Sequence, residues 1–238
     1  MHLPLAVVHN RKVGDAALRT KDWMVETRRR CGDRRRWAAR GSKWHALDRW
    51  GQIIGTSTVT EVSFYDVTGC NELALSPEHS NETLFVSADS GFRPSPSAAF
   101  LPARSQARSF RALTARVLDD RAISPQSAHD ECRDIIEKEQ FFSSQAGEHY
   151  AIGTSNVGYL LAVQVRGRWS VLRSERDIRS PDNYGCFRPI AIFDMNQDGV
   201  PEVVLRHSSG ESWCDAVLGR NRAGKWELVA ISPGSALV

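Results

Sequence analysis

Pro189-Ile190-Ala191-Ile192-Phe193-Asp194-Met195-Asn196-Gln197-Asp198-Gly199-Val200-Pro201-Glu202-Val203-Val204-Leu205 is the stretch on which the reading of this chain turns. Counted from Asp194, oxygen-bearing side chains fall at positions 1, 3, 5 and 9 (Asp194, Asn196, Asp198, Glu202), with Gly199 at position 6. That is the spacing of a calcium loop, in which alternate residues point inward at one hard cation. Val200 adds a backbone carbonyl, and Gly199 permits a sharp turn that a Cβ hinders. An EF-hand is excluded twice. Its twelfth position needs a bidentate Glu, and here that position is Leu205. Its flanks must also be helices, whereas 189–193 and 203–205 are short, apolar and rich in β-branched residues, the pattern of strands. A strand–loop–strand calcium site is expected. Asp, Asn and Gly dominate metal-free turns as well, so that alternative stays open.

From Ile190 to Leu205 the chain resembles an FG-GAP/VCBS-type repeat, the blade unit of integrin-like β-propellers. The resemblance covers about 186–231 in one clear copy. It implies a four-stranded antiparallel blade with structural Ca2+ in the loop between its first two strands. Its ligands would be Asp194, Asn196, Asp198, Val200 through its carbonyl, and Glu202. The chain departs from the family in having Asn196 and Glu202 where Asp is common, and in lacking a Phe-Gly…Gly-Ala-Pro signature.

Hairpin signals continue outward. Trp213–Leu218 and Lys225–Ala230 flank a polar turn bounded by Gly219 and Gly224. A weaker copy runs from His149–Thr154 through Tyr159–Arg166 to Trp169–Leu172, without an acidic loop. A third hairpin joins Lys43–Asp48 to Ile53–Val59, and Glu61–Tyr65 continues as strand. Too few hairpins are present for a closed propeller, so an open or partly closed assembly is expected. Ser90–Ser105 is rich in Pro, Ser and Ala and reads as a linker or long loop. Phe110, Leu113, Val117 and Leu118 follow a helical spacing. A second helix is expected from Ser124-Pro125 through Cys132, Ile135 and Ile136 toward Glu139–Phe142. The expected fold is therefore mainly β with two helices (α+β), its antiparallel blade-like sheets forming an incomplete propeller-like assembly. The expected divisions are a basic arm over 1–42, possible disorder included, β hairpins over 43–88, linker and helices over 89–145, and the calcium-loop region over 146–238.

The 238 residues suffice for one large or two small β-rich domains, and no run of about 18 apolar residues predicts a membrane span. Residues 1–50 hold 13 Lys+Arg against 5 Asp+Glu, while the rest of the chain is net acidic. Arg28, Arg29, Arg30, Arg34, Arg35 and Arg36 form a candidate anion-binding cluster for nucleic acid or anionic lipid, against a solvated arm as the plainer reading. Of the five cysteines, Cys186 and Cys214 bracket the calcium loop and are a candidate disulfide worth about 2–4 kcal/mol. Cys70 and Cys132 could form a second, leaving Cys31 free; buried thiols are the other reading. Disulfides and a calcium loop both suit a periplasmic, surface or secreted setting, although Met1–Val8 lacks the form of a signal peptide. Catalytic motifs are absent from the sequence. A non-catalytic, calcium-stabilised module that meets a protein or glycan partner is expected. The alternative is a nucleic-acid-associated protein that binds through its Arg-rich arm.

Overall fold

Strand residues Ile190–Phe193 are apolar without alternation because both faces of their sheet are buried. The computed structural model describes residues 2–9, 12–19, 39–65, 70–79, 83–88, 95–118, 139–155, 158–176, 185–209, 212–221, 223–231 and 235–236. Its elements run in chain order. β1 (His2–His9), β2 (Lys12–Arg19), β3 (Lys43–Leu47), β4 (Ile53–Tyr65), β5 (Cys70–Ser76) and β6 (Leu84–Ser87) come first. β7 (Ser95–Pro96), β8 (Ala98–Ala99) and α1 (Arg104–Leu118) follow. Then come β9 (Glu139–Ser143), β10 (His149–Ser155), β11 (Gly158–Val165) and β12 (Arg168–Arg176). The chain ends with β13 (Gly185–Asp194), β14 (Glu202–Ser209), β15 (Ser212–Arg220), β16 (Trp226–Ile231) and β17 (Ser235–Ala236).

These strands form four layers with the helix. The first is a closed antiparallel barrel in the order β1-β2-β5-β4-β3-β6, which encloses Trp44, Ala46, Val59, Leu73, Leu75 and Phe85. The second is the meander β13-β14-β15-β16, with β7 on its β13 edge and β17 beside β15. The third is the meander β9-β10-β11-β12, with β8 on its β9 edge. α1 covers the far face of the third layer, where Phe110 meets Ala151, Leu160 and Ala162.

Alternation within the second layer feeds two separate cores. Phe193, Val204, Val217 and Val229 face the barrel's Leu47, Leu84 and Val86. Ile192, Val203, Leu205, Leu218 and Trp226 face Phe142, Tyr150, Ile152, Tyr159 and Leu161 of the third layer. Trp44 and Ala46 point into the barrel, so alternation along β3 turns Leu47 outward onto the second layer. The β3–β4 turn anchors the same contact. Asp48 Oδ1 accepts from the Trp50 and Gln52 N–H groups, both at 2.8 Å, and Ile192 N–H donates to Arg49 O at 2.7 Å.

The expected hairpins over 43–65, 149–172 and 213–230 are present, but several expectations need correction. Residues 2–19 are not an arm, because β1 and β2 complete the barrel between β6 and β5. Most of the basic residues of that region fall beyond Arg19, so averaging charge over 1–42 concealed two strands. Arg28, Arg29, Arg30, Arg34, Arg35, Arg36 and Cys31 lie outside the described residues. The Ser90–Ser105 segment is not a plain linker, because β7 and β8 within it pair with the edges of the second and third layers. α1 starts at Arg104, a turn and a half before the first inward apolar residue, Phe110. The second helix cannot reach 139–142, since those residues form β9. Gln140 and Phe142 are buried there in strict alternation, a period of two where a helical one was expected. Residues 119–138 lie outside the described residues. The fold is mainly antiparallel β, with one helix among the described residues.

Gly51 tests the barrel-to-sheet contact. Its φ is +83°, and an added Cβ would stand 2.4 Å from Phe193 Cβ. Gly41 has φ +88° with no heavy atom within 4 Å of such a Cβ. Gly51→Ala is expected to cost about 2–5 kcal/mol and Gly41→Ala only about 1–2 kcal/mol in urea unfolding. Equal losses would mean that Gly51 serves its turn alone and that the barrel does not press on β13.

Candidate metal centre

Asp194 ends β13 and Glu202 begins β14, so the strand pairing Phe193↔Glu202 brings the two ends of the loop together. Both carboxylates are buried, at 2% and 1% exposure, while Asp198 at the loop's tip is exposed. The backbone turns through positive φ at Gln197 (63°) and Gly199 (86°).

Loop N–H groups converge on the acidic side chains. Asp194 Oδ1 accepts from Asp198 N–H at 3.1 Å, and Oδ2 from Gly199 N–H at 2.9 Å. Asn196 Oδ1 accepts from Asp198 N–H at 2.9 Å, and Asp198 Oδ1 from Val200 N–H at 2.8 Å. These last two are Asx turns, each fixing the backbone two residues on. Glu202 Oε2 accepts from Met195 N–H at 2.7 Å. The Asn196 amide donates to Glu202 Oε1 at 2.7 Å and to Asp198 Oδ2 at 3.3 Å. A donor nitrogen thus bridges two carboxylates, at a place where a positive charge would be favoured.

Burial pushes the Glu202 carboxyl up to about 8, a shift opposed by the Met195 N–H and reinforced by the charges of Asp198 and Asp194. Asp194 is also raised, first by burial, with loop N–H groups pulling it back and Asp198 pushing it up. Hard oxygens from three carboxylates, one amide and one carbonyl on a single turn are the donor set that suits Ca2+. A divalent cation would offset the cost of burying these charges and the repulsion that adds to it. Among the described residues, no three His, Cys, Asp or Glu side chains are gathered as a metal-holding group. The carboxylates of the loop are instead turned onto its own N–H groups.

Three neighbours of the loop were hidden in the sequence. Gly219 was read as a turn residue but lies within β15, paired with Glu227. A Cβ there would stand 2.9 Å from Glu202 Cγ, so Gly219 makes room for the buried carboxylate. A glycine inside a strand is the signal for such a close approach. Gln145, in the β9–β10 turn, donates its N–H to Gly199 O at 3.0 Å. Its side-chain amide donates to Ser95 Oγ at 2.7 Å, and Ser95 pairs with Asp194. Beside this group, Tyr150 donates to Glu148 Oε2 at 2.6 Å and accepts from Arg220 at 2.8 Å, with Arg220 over the Trp226 ring.

The backbone register sets the expected pair, Cys186 and Cys214, on strands that are not neighbours. Cys186 pairs with Ser208 and Cys214 with His207, so β14 runs between them. Two strand spacings separate their backbones by about 9.5 Å. Disulfide Cα atoms usually lie about 4.4–6.8 Å apart. Closeness to the loop in sequence took no account of the intervening strand. Cys132 of the other candidate pair lies outside the described residues.

The raised Glu202 carboxyl fixes a sign for the metal-free protein. Below its usual value of 4.5 the group is protonated both folded and unfolded. As pH rises toward about 8, the unfolded chain ionises and the folded chain does not, so stability falls. In chelator, melting temperature is expected to drop between pH 5 and pH 8, and Glu202→Gln to flatten that slope; an unchanged slope would assign it to another group. Comparisons of the chain with protein-family models, with curated proteins and with solved structures return no match.

Proposed function

We propose that the chain is a non-catalytic, calcium-stabilised β module of FG-GAP/VCBS type that presents loops to a protein or glycan partner outside the cytoplasm. The observation that carries this reading is the 194–202 loop, with its five oxygen donors, between the first two strands of a four-stranded antiparallel meander. The preceding meander, β9–β12, supports it. The two pack face to face, as neighbouring blades do, although the described residues do not close a ring. Calcium here is structural: it neutralises Asp194, Asp198 and Glu202 and holds β13 to β14.

The presenting surface is the loop-bearing end. Register puts the β13–β14, β15–β16, β9–β10 and β11–β12 turns at one end of the two sheets. Exposed polar residues crown it, among them Arg166, Arg168, Gln197, Asp198 and Lys225. Such side chains suit hydrogen-bonding and charged partners. An extracytoplasmic setting follows from the calcium reading, since modules of this kind are tuned to extracellular calcium. No helix among the described residues is long and apolar enough to cross a membrane.

Calcium in excess of its dissociation constant by about a hundredfold is expected to raise the melting temperature by about 5–10 °C. Asp198→Ala should abolish that gain. Asp198→Asn keeps an oxygen for the Val200 N–H bond, so it should preserve the chelator melting point and lose most of the gain. A gain that is absent in the unmodified protein, or unaltered in both variants, would remove calcium from this loop.

A further inference from the structure

Gln145 touches the metal loop at Gly199 and reaches Asp194 indirectly, through Ser95. Its backbone N–H binds Gly199 O at 3.0 Å. The same Gly199–Val200 peptide gives its N–H to Asp198 Oδ1 at 2.8 Å, so this peptide plane is held from both sides. The plane sits immediately before the Val200 carbonyl, one of the expected ligands. At the other end, the Gln145 side-chain amide holds Ser95 Oγ at 2.7 Å, and Ser95 is the backbone partner of Asp194, the first ligand. An added Cβ on Gly199 would stand 3.9 Å from Gln145 Cβ, in ordinary contact. The loop is therefore framed by the β9–β10 turn and by β7.

We propose that calcium occupancy of the 194–202 loop and docking of the β9–β10 turn are coupled through Gln145, with Gln145 and Ser95 as positioning residues for the metal site. This rests on the calcium reading above. Calcium fixes the Val200 peptide and the Asp194 side chain, and both are connected to groups that Gln145 holds. Binding then closes the seam between the second and third layers at this end of the molecule. Linkage is reciprocal: what calcium adds to the docking of the turn, the docked turn adds to calcium affinity. The Tyr159–Phe187 contact at the other end of the same seam, centroids 5.9 Å apart, touches none of these groups and should not respond.

Titration calorimetry with calcium chloride, together with hydrogen exchange in calcium and in chelator, tests this on the full chain. In the unmodified protein calcium should protect amides of 95–97 and 144–148 as well as those of 194–202, and leave 158–161 unchanged. Gln145→Ala and Ser95→Ala should each weaken calcium binding about fivefold or more, and the pair together no more than either alone. Ser95→Thr retains the hydroxyl and should bind like the unmodified protein. A purely structural role would lower melting equally in both buffers and leave affinity unchanged. Unaltered affinity in both alanine variants, or protection confined to 194–202, overturns the coupling while the calcium reading stands. Absence of calcium binding in the unmodified protein overturns both.

Discussion

One sheet buried on both faces organises this molecule. Every strand of the β13–β16 meander must satisfy two different neighbours, so its side chains sort by parity into two apolar sets. A one-residue slip in register would exchange the two sets entirely. Irregularities are therefore confined to places that tolerate them. The shift in β13 falls between Pro189 and Ala191, where proline withdraws a ladder donor. Among the described residues, main-chain bonds reach this sheet's β13 edge from Arg49 in the β3–β4 turn and from the short strand β7.

The same burial explains the acidic loop's character. Asp194 and Glu202 stand where the sheet ends but the packing does not, so their carboxylates lose water before they gain a counter-charge. The protein's compensation is local, through loop N–H groups and the Asn196 amide. Deeper in the sheet a different solution appears. Arg206 and Asp215, directly opposite on β14 and β15, form a buried bidentate pair at 2.8 and 3.0 Å. There a full cation faces a full anion, and burial is balanced within the protein. At the loop, among the described residues, partial charges alone face the carboxylates, so a cation there would complete the balance.

Local pattern revealed much of this and topology the remainder. The strands flanking Asp194–Glu202 were legible because their residues are β-branched and their loop spacing is rare. The hairpins around Gly51 and Gly167 were legible from turn chemistry, and both glycines adopt positive φ. What escaped was non-local. Gly219 reads as a turn glycine until Glu202 is seen against it, and Gln145 carries no motif at all. Ser95-Pro96 reads as linker because two residues are too few for a period. Glu139–Ser143 looked like the tail of a helix because Phe141 and Phe142 are adjacent; each goes to a different face of one strand. The cysteines looked paired because sequence distance says nothing about an intervening strand.

The two outer layers differ from the pair they enclose. On one side a barrel offers Leu47, Leu84 and Val86; on the other a single helix sets Phe110 into a floor of Ala151, Leu160 and Ala162. Small residues make that floor shallow, and Gly153 lacks even a Cβ beneath Thr114. Such a hollow fits a helix and leaves little for a further sheet to grip. Like the terminal repeats of a solenoid, barrel and helix are stoppers. Among the described residues, the two stacked sheets thus lie between two lids of different build.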